Sequence, residues 1–166
     1  MFSAHAVHLL RTAQLNGMTQ ARMADQKASI LLGATFLVFS FSVTRALAGD
    51  VPVALSVLAA FSFASSLGAV MAVLPNVGRP KGKESNANLL FFGHFAWREE
   101  DEWTAALLDA LETDETVFRT MAHDIYQNGQ VLQAKKFRYL SIAYRLFIAG
   151  LVVTLAVFAV EMFRAN

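Results

Sequence analysis

Three stretches almost free of charge decide what this 166-residue chain can become. Residues 28–44 and 51–78 contain no Asp, Glu, Lys or Arg, and residues 139–160 contain only Arg145. A helix rises about 1.5 Å per residue and the hydrocarbon core of a bilayer is about 30 Å thick, so each stretch is long enough, or nearly so, to cross it. Charged residues make up 16% of the chain, against about a quarter in soluble domains, and the mean hydropathy is +0.43. These figures exclude an ordinary soluble enzyme. With no cysteine, a disulfide-stapled secreted module is excluded too. A formal net charge of +1 argues against nucleic acid as a partner, which calls for a concentrated basic surface.

The expected fold is an all-α membrane protein with three transmembrane helices, at 28–48, 51–75 and 139–163. A small helical lobe is built from residues 1–27 and 76–138. The opening apolar cluster is short and broken by His5 and His8, unlike a cleaved signal peptide, so the first span is expected to stay. Gly49, Asp50 and Pro52 read as a tight turn, with Asp50 the cap of the second span and Pro52 in its first turn. Pro75, Gly78 and Pro80 end that span. Eleven basic residues lie on the side shared by the N-terminus and residues 76–138, and only Arg45 and Arg164 on the other. The positive-inside rule makes the former side cytoplasmic. Arg145 lies inside the third span, where it either snorkels to the headgroups or faces a protein interior.

The rest of the chain reads as helix. Val7, Leu10, Ala13, Met18, Ala21 and Ala24 mark one face of an amphipathic helix running into the first span. A short helix opens on Glu99, Glu100, Asp101 and Glu102 and ends near Leu111. A second begins at Thr113 or Asp114 and continues for about 45–50 residues into the third span, with Gly129 its weak point. A lobe of about 90 residues in two pieces buries little surface alone, which favours self-association into a homo-oligomer. Ala60, Ala64, Gly68 and Ala72 recur every fourth residue, a stripe that lets helices approach closely in lipid, within this chain or between copies.

No catalytic constellation is legible. The four histidines lack the paired spacing and acidic neighbours of a metal site, so no metal and no cofactor are expected. There is no phosphate loop or nucleophile elbow. What stands out is polar. Arg22, Asp25 and Lys27 crowd the mouth of the first span; Arg22 and Asp25, three apart, can pair, leaving Lys27 for an anion. Asn86, Asn88 and His94 surround the apolar run 89–92, although asparagines there also suit plain turns. Tyr126 stands on the long helix with Lys135, Lys136 and Arg138, cations that equally suit membrane headgroups. A cation for phosphate, amides for base edges and a ring for stacking are what an anionic nucleotide needs.

Three runs carry a family resemblance, in order along the chain. Met23-Ala24-Asp25-Gln26-Lys27-Ala28-Ser29-Ile30-Leu31-Leu32 is the first, and Asn88-Leu89-Leu90-Phe91-Phe92-Gly93-His94-Phe95 the second. Asp124-Ile125-Tyr126 followed by Lys135-Lys136 is the third. Together they resemble the transmembrane effectors of Pycsar anti-phage systems, over about His8 to Phe163. The resemblance implies a bacterial inner-membrane effector that senses cyclic UMP or cyclic CMP from a partner cyclase and damages the lipid bilayer, aborting infection. It implies no catalytic residues. Arg22, Asp25, Lys27, Asn86, Asn88, His94, Tyr126 and Lys135 are the candidate ligand contacts, chosen from position and chemistry. A membrane scaffold docking a partner protein, and a constitutive holin-like pore, are the rival readings.

Overall fold

The computed structural model describes residues 2, 3, 5–49, 52–75 and 88–165, the last without its side chain. Asp50, expected as a cap, and Asn86, an expected ligand contact, lie outside the described residues. Every regular element among the described residues is helical: α1 (Ala6–Leu47), α2 (Val53–Val73), α3 (Phe92–Phe95), α4 (Glu100–Ala110), α5 (Asp114–Val131), a π-helical segment (Leu132–Phe137) and α6 (Arg138–Ala165). The chain divides into two compact units, Met1–Ala21 with Pro75–Leu132, and Arg22–Leu74 with Gln133–Asn166.

The second of these is the membrane unit. Three helices are long and apolar enough to cross a bilayer: α1, α2, and the run Asp114–Arg164. α1 is one unbroken helix of 42 residues, because no proline interrupts it and Gly17 only weakens it locally. It gives way to Gly49 at φ +90°, backbone that glycine adopts without a Cβ clash. Pro52 stands immediately before α2 rather than in its first turn. At the other end Leu74 has left helical geometry with ψ 122°, as expected of a residue preceding proline.

α2 packs along α6. Gly68 lies against Ala143, Gly150 lies against Phe61, and the Ser65 hydroxyl donates to the Ala143 carbonyl at 2.8 Å. Lipid offers apolar groups no reason to leave it, so close backbone approach and a hydrogen bond across the seam supply the attraction. The buried face of α2 is Ala54, Ser62, Ser65, Ala69 and Ala72. It is offset from the expected stripe: Gly68 and Ala72 contribute to the packing, while Ala60 is exposed. α1 adds Leu31 to a small core with Ala69 and Ala143, flanked by Leu32, Tyr144 and Phe147. The buried hydroxyls of Thr35 and Ser42 bond back to the Leu31 and Val38 carbonyls, which satisfies them where water is absent.

The other unit is the lobe. Its part of α1 turns Leu10, Ala13, Gln14 and Gly17 inward and leaves Val7 and Met18 outside. The apolar face is thus rotated from the expected one. Thr113 caps α5 through a reciprocal pair of bonds with Thr116. Phe2 meets the edge of Phe118 at 4.6 Å between centroids. The aromatic run after Asn88 folds into the short α3, which periodicity could not reveal at four residues. It is tied down by Trp103, whose indole N–H donates to the Leu89 carbonyl at 2.9 Å and whose ring meets Phe95.

Candidate functional site

Asp124 is the polar centre of the lobe. It is only 3% exposed. Its Oδ1 accepts from the amide nitrogens of Asn88 and Asn128, both at 2.9 Å, and its Oδ2 from Gln14 at 3.2 Å. All three donors are neutral. A carboxylate removed from water must be hydrogen-bonded or paired, and here three amides from α1, α5 and the segment before α3 do that work. Asn88 is itself 1% exposed and fully engaged. Its Oδ1 accepts the Leu90 N–H at 2.9 Å, a turn that asparagine favours, and its backbone N–H donates to His94 Nδ1 at 2.8 Å. That bond makes Nε2 the nitrogen that carries the proton in the neutral ring. The Phe91 ring stands edge-on to His94 at 5.4 Å.

The membrane unit holds its own polar set where its helices meet the π-helical segment. Lys136 donates to both oxygens of Asp25 at 2.7 Å. Lys135, the preceding residue, donates to the Leu74 carbonyl at 2.7 Å, beyond the last turn of α2. Adjacent residues point about 100° apart on a regular helix; these two serve acceptors on different helices from within a π turn. π segments of this kind recur at functional sites. The irregularity expected at Gly129 falls instead at Leu132–Phe137. The Tyr144 hydroxyl donates to the Lys27 carbonyl at 3.1 Å, joining α6 to α1. The Lys27 ammonium has no partner among the described residues, and it lines a pocket with Phe137, Leu140, Ser141 and Tyr144.

The expected contacts are divided between the two units. Asn88 and His94 come together in the lobe, where Asn88 donates to His94 Nδ1 through its backbone N–H and to Asp124 through its amide. Tyr126, in the same unit, is 65% exposed and accepts only the Gln130 amide at its hydroxyl. Arg22, Asp25, Lys27 and Lys135 belong to the membrane unit. The Arg22–Asp25 pair does not form: Lys136 takes the carboxylate, and Arg22 is exposed with no partner among the described residues. Lys136 reaches it from a residue 111 positions away, contact that no spacing rule reveals. Arg145 is exposed and likewise unpartnered among the described residues, so it does not face the interior of this unit.

Asp124, Gln14 and Asn128 are the hub residues that spacing overlooked. The signal was present. Asp124 lies three residues after Met121 and four before Asn128, so an acid interrupts the inward stripe of α5. Among the described residues, no three His, Asp or Glu side chains gather as a metal-ligand set.

No curated protein and no solved structure matches the chain. The sequence profile described as PycTM, the Pycsar effector protein domain, matches residues 8–162, nearly the whole length, and takes in the Lys27, Asn88 and Asp124 regions just described. The chain belongs to the Pycsar effector family, as a helical membrane effector of anti-phage defence.

Proposed function

We propose that the protein senses a cyclic pyrimidine mononucleotide, cyclic UMP or cyclic CMP, made by a partner cyclase on infection. It answers by breaching the bacterial inner membrane, so that the infected cell dies before phage mature. The observation that carries this reading is the family match across 8–162, on a chain whose lobe shares two unbroken helical runs, α1 and 114–164, with its membrane unit. A bound nucleotide favours one arrangement of such helices only through its difference in affinity between arrangements. The N-terminus and residues 76–138 face the cytosol, in keeping with the basic residues gathered there, and several chains associate in the active state. In the lobe, Asn88 and His94 act by holding the polar hub. The exposed ring of Tyr126 offers an aromatic face for a base.

Two measurements on the purified full chain test this. In dye-loaded liposomes, leakage is expected only when cyclic UMP or cyclic CMP is added. Leakage without nucleotide would make it a constitutive pore, and no leakage under any condition would make it a scaffold. Isothermal titration with both nucleotides should give saturable binding to at least one. Tyr126→Ala should weaken that binding by about tenfold, the scale of one base–aromatic stack. Unchanged affinity removes Tyr126 from the site.

A further inference from the structure

The pocket lined by Lys27, Phe137, Leu140, Ser141 and Tyr144 has a volume of about 550 Å³ and lies wholly within the membrane unit. Its walls divide by chemistry. Phe137, Leu140 and the Tyr144 ring are apolar, whereas Lys27 supplies an ammonium and Ser141 a hydroxyl, neither with a partner among the described residues. Tyr144 spends its own proton on the Lys27 carbonyl, so the donors left for a ligand are cationic or neutral.

The charge around the pocket is one-sided. Residues 22–40, 60–74 and 133–150 contain the cations Arg22, Lys27, Lys135, Lys136, Arg138 and Arg145 and a single acid, Asp25. Lys136 already neutralises that acid with two 2.7 Å bonds, and Lys135 is bound to the Leu74 carbonyl. Arg138, Ser141 and Arg145 follow one another at three and four residues on α6, hence on one face. Both arginines are exposed and unpartnered among the described residues. Arg145 stands about 10 Å along α6 from Arg138, inside the span expected from the sequence at 139–163. A guanidinium there is costly unless an anion meets it.

We propose that Lys27 and Ser141, with Arg138 and Arg145 beside them, bind the phosphodiester headgroup of an anionic phospholipid, whose glycerol and first methylenes rest on Phe137 and Leu140. Basic pockets between membrane helices hold acidic headgroups in this manner. A cyclic nucleotide offers the same phosphodiester charge. Its base adds ring-edge donors and acceptors that amides pair best, and the lining contains no Asn, Gln, Asp or Glu side chain. The lipid site stands independently of nucleotide sensing.

The test uses the full chain in non-ionic detergent, with bound lipid counted by native mass spectrometry. Short-chain phosphatidylglycerol should bind saturably and short-chain phosphatidylcholine should not. Lys27→Gln, Ser141→Ala and Arg145→Gln should each weaken binding, the two charge removals by about fivefold, and Lys27→Arg should retain it. Arg164→Gln removes the same charge at the far end of α6 and should leave binding unchanged. Equal retention of phosphatidylcholine overturns the proposal, as does an equal loss in Arg164→Gln. Competitive displacement of the lipid by cyclic UMP would also overturn it, by giving the pocket to the nucleotide's phosphate. A variant that loses both lipid and helical circular dichroism is set aside in favour of Lys27→Arg, whose failure to bind counts against the site.

Discussion

Gly150 shows how little room the membrane unit leaves at single residues. A Cβ built there would stand 2.4 Å from the Phe61 Cβ and 2.9 Å from its Cγ, and the Phe61 Cβ, fixed to the backbone, does not move without moving α2. Gly150→Ala should therefore destabilise the unit by about 1–3 kcal/mol, the usual cost of overpacking, read as a lower midpoint of thermal unfolding in detergent. Gly33 is the internal control, since a Cβ there meets nothing within 4 Å. Gly33→Ala should be neutral or slightly stabilising, because alanine is the better helix former. A loss of leakage activity in Gly33→Ala with stability intact would place a second copy of the chain against that face. The same logic separates the buried hydroxyls. Ser65 bonds across to Ala143, whereas Ser62, fully buried, has no hydrogen-bond partner among the described residues.

At the scale of elements, α2 has no charged residue of its own, yet both its ends meet charge, one from α6 and one from the π-helical segment before it. Glu161 accepts the Val53 N–H at 2.8 Å, and Lys135 donates to the Leu74 carbonyl at 2.7 Å. A carboxylate at the N-terminus and an ammonium at the C-terminus each match the sign of the helix dipole and occupy an otherwise orphaned backbone group. The contacts also fix α2 antiparallel to α6. Glu161→Gln and Lys135→Gln should each lower stability by about 0.5–1 kcal/mol. The two ends of α2 are about 33 Å apart, so the double variant should show the sum of the single effects. Thermal unfolding of the four proteins checks this, and coupling between the two ends would mean that α2 slides as a unit. Sequence reading made Lys135 a ligand contact. Its capping role, and that of Glu161, became visible only once α2 lay beside the run 114–164.

At the scale of the whole molecule, Asp124 ties three separate stretches of the lobe through neutral amides. Asp124→Ala would leave those donors without their acceptor and should cost about 2–4 kcal/mol, concentrated in that unit. Hydrogen exchange should quicken in residues 6–21 and 88–131 while α2 keeps its protection; uniform quickening would mean that the two units unfold as one. Asp124→Asn, which keeps an acceptor oxygen, should be milder. The three membrane-length helices, the unbroken entry of α1, the stop at Pro75 and the long final helix were all legible in the chain itself. They rest on hydropathy, helix propensity and proline sterics, which act between neighbours in sequence. What only the tertiary structure decided were the partners: Lys136 rather than Arg22 for Asp25, Glu161 for the start of α2, and Gln14, Asn88 and Asn128 for Asp124. Each choice among several chemically equivalent donors or acceptors depends on which helix faces come within about 3 Å, and that distance is set by packing between residues as many as 111 positions apart.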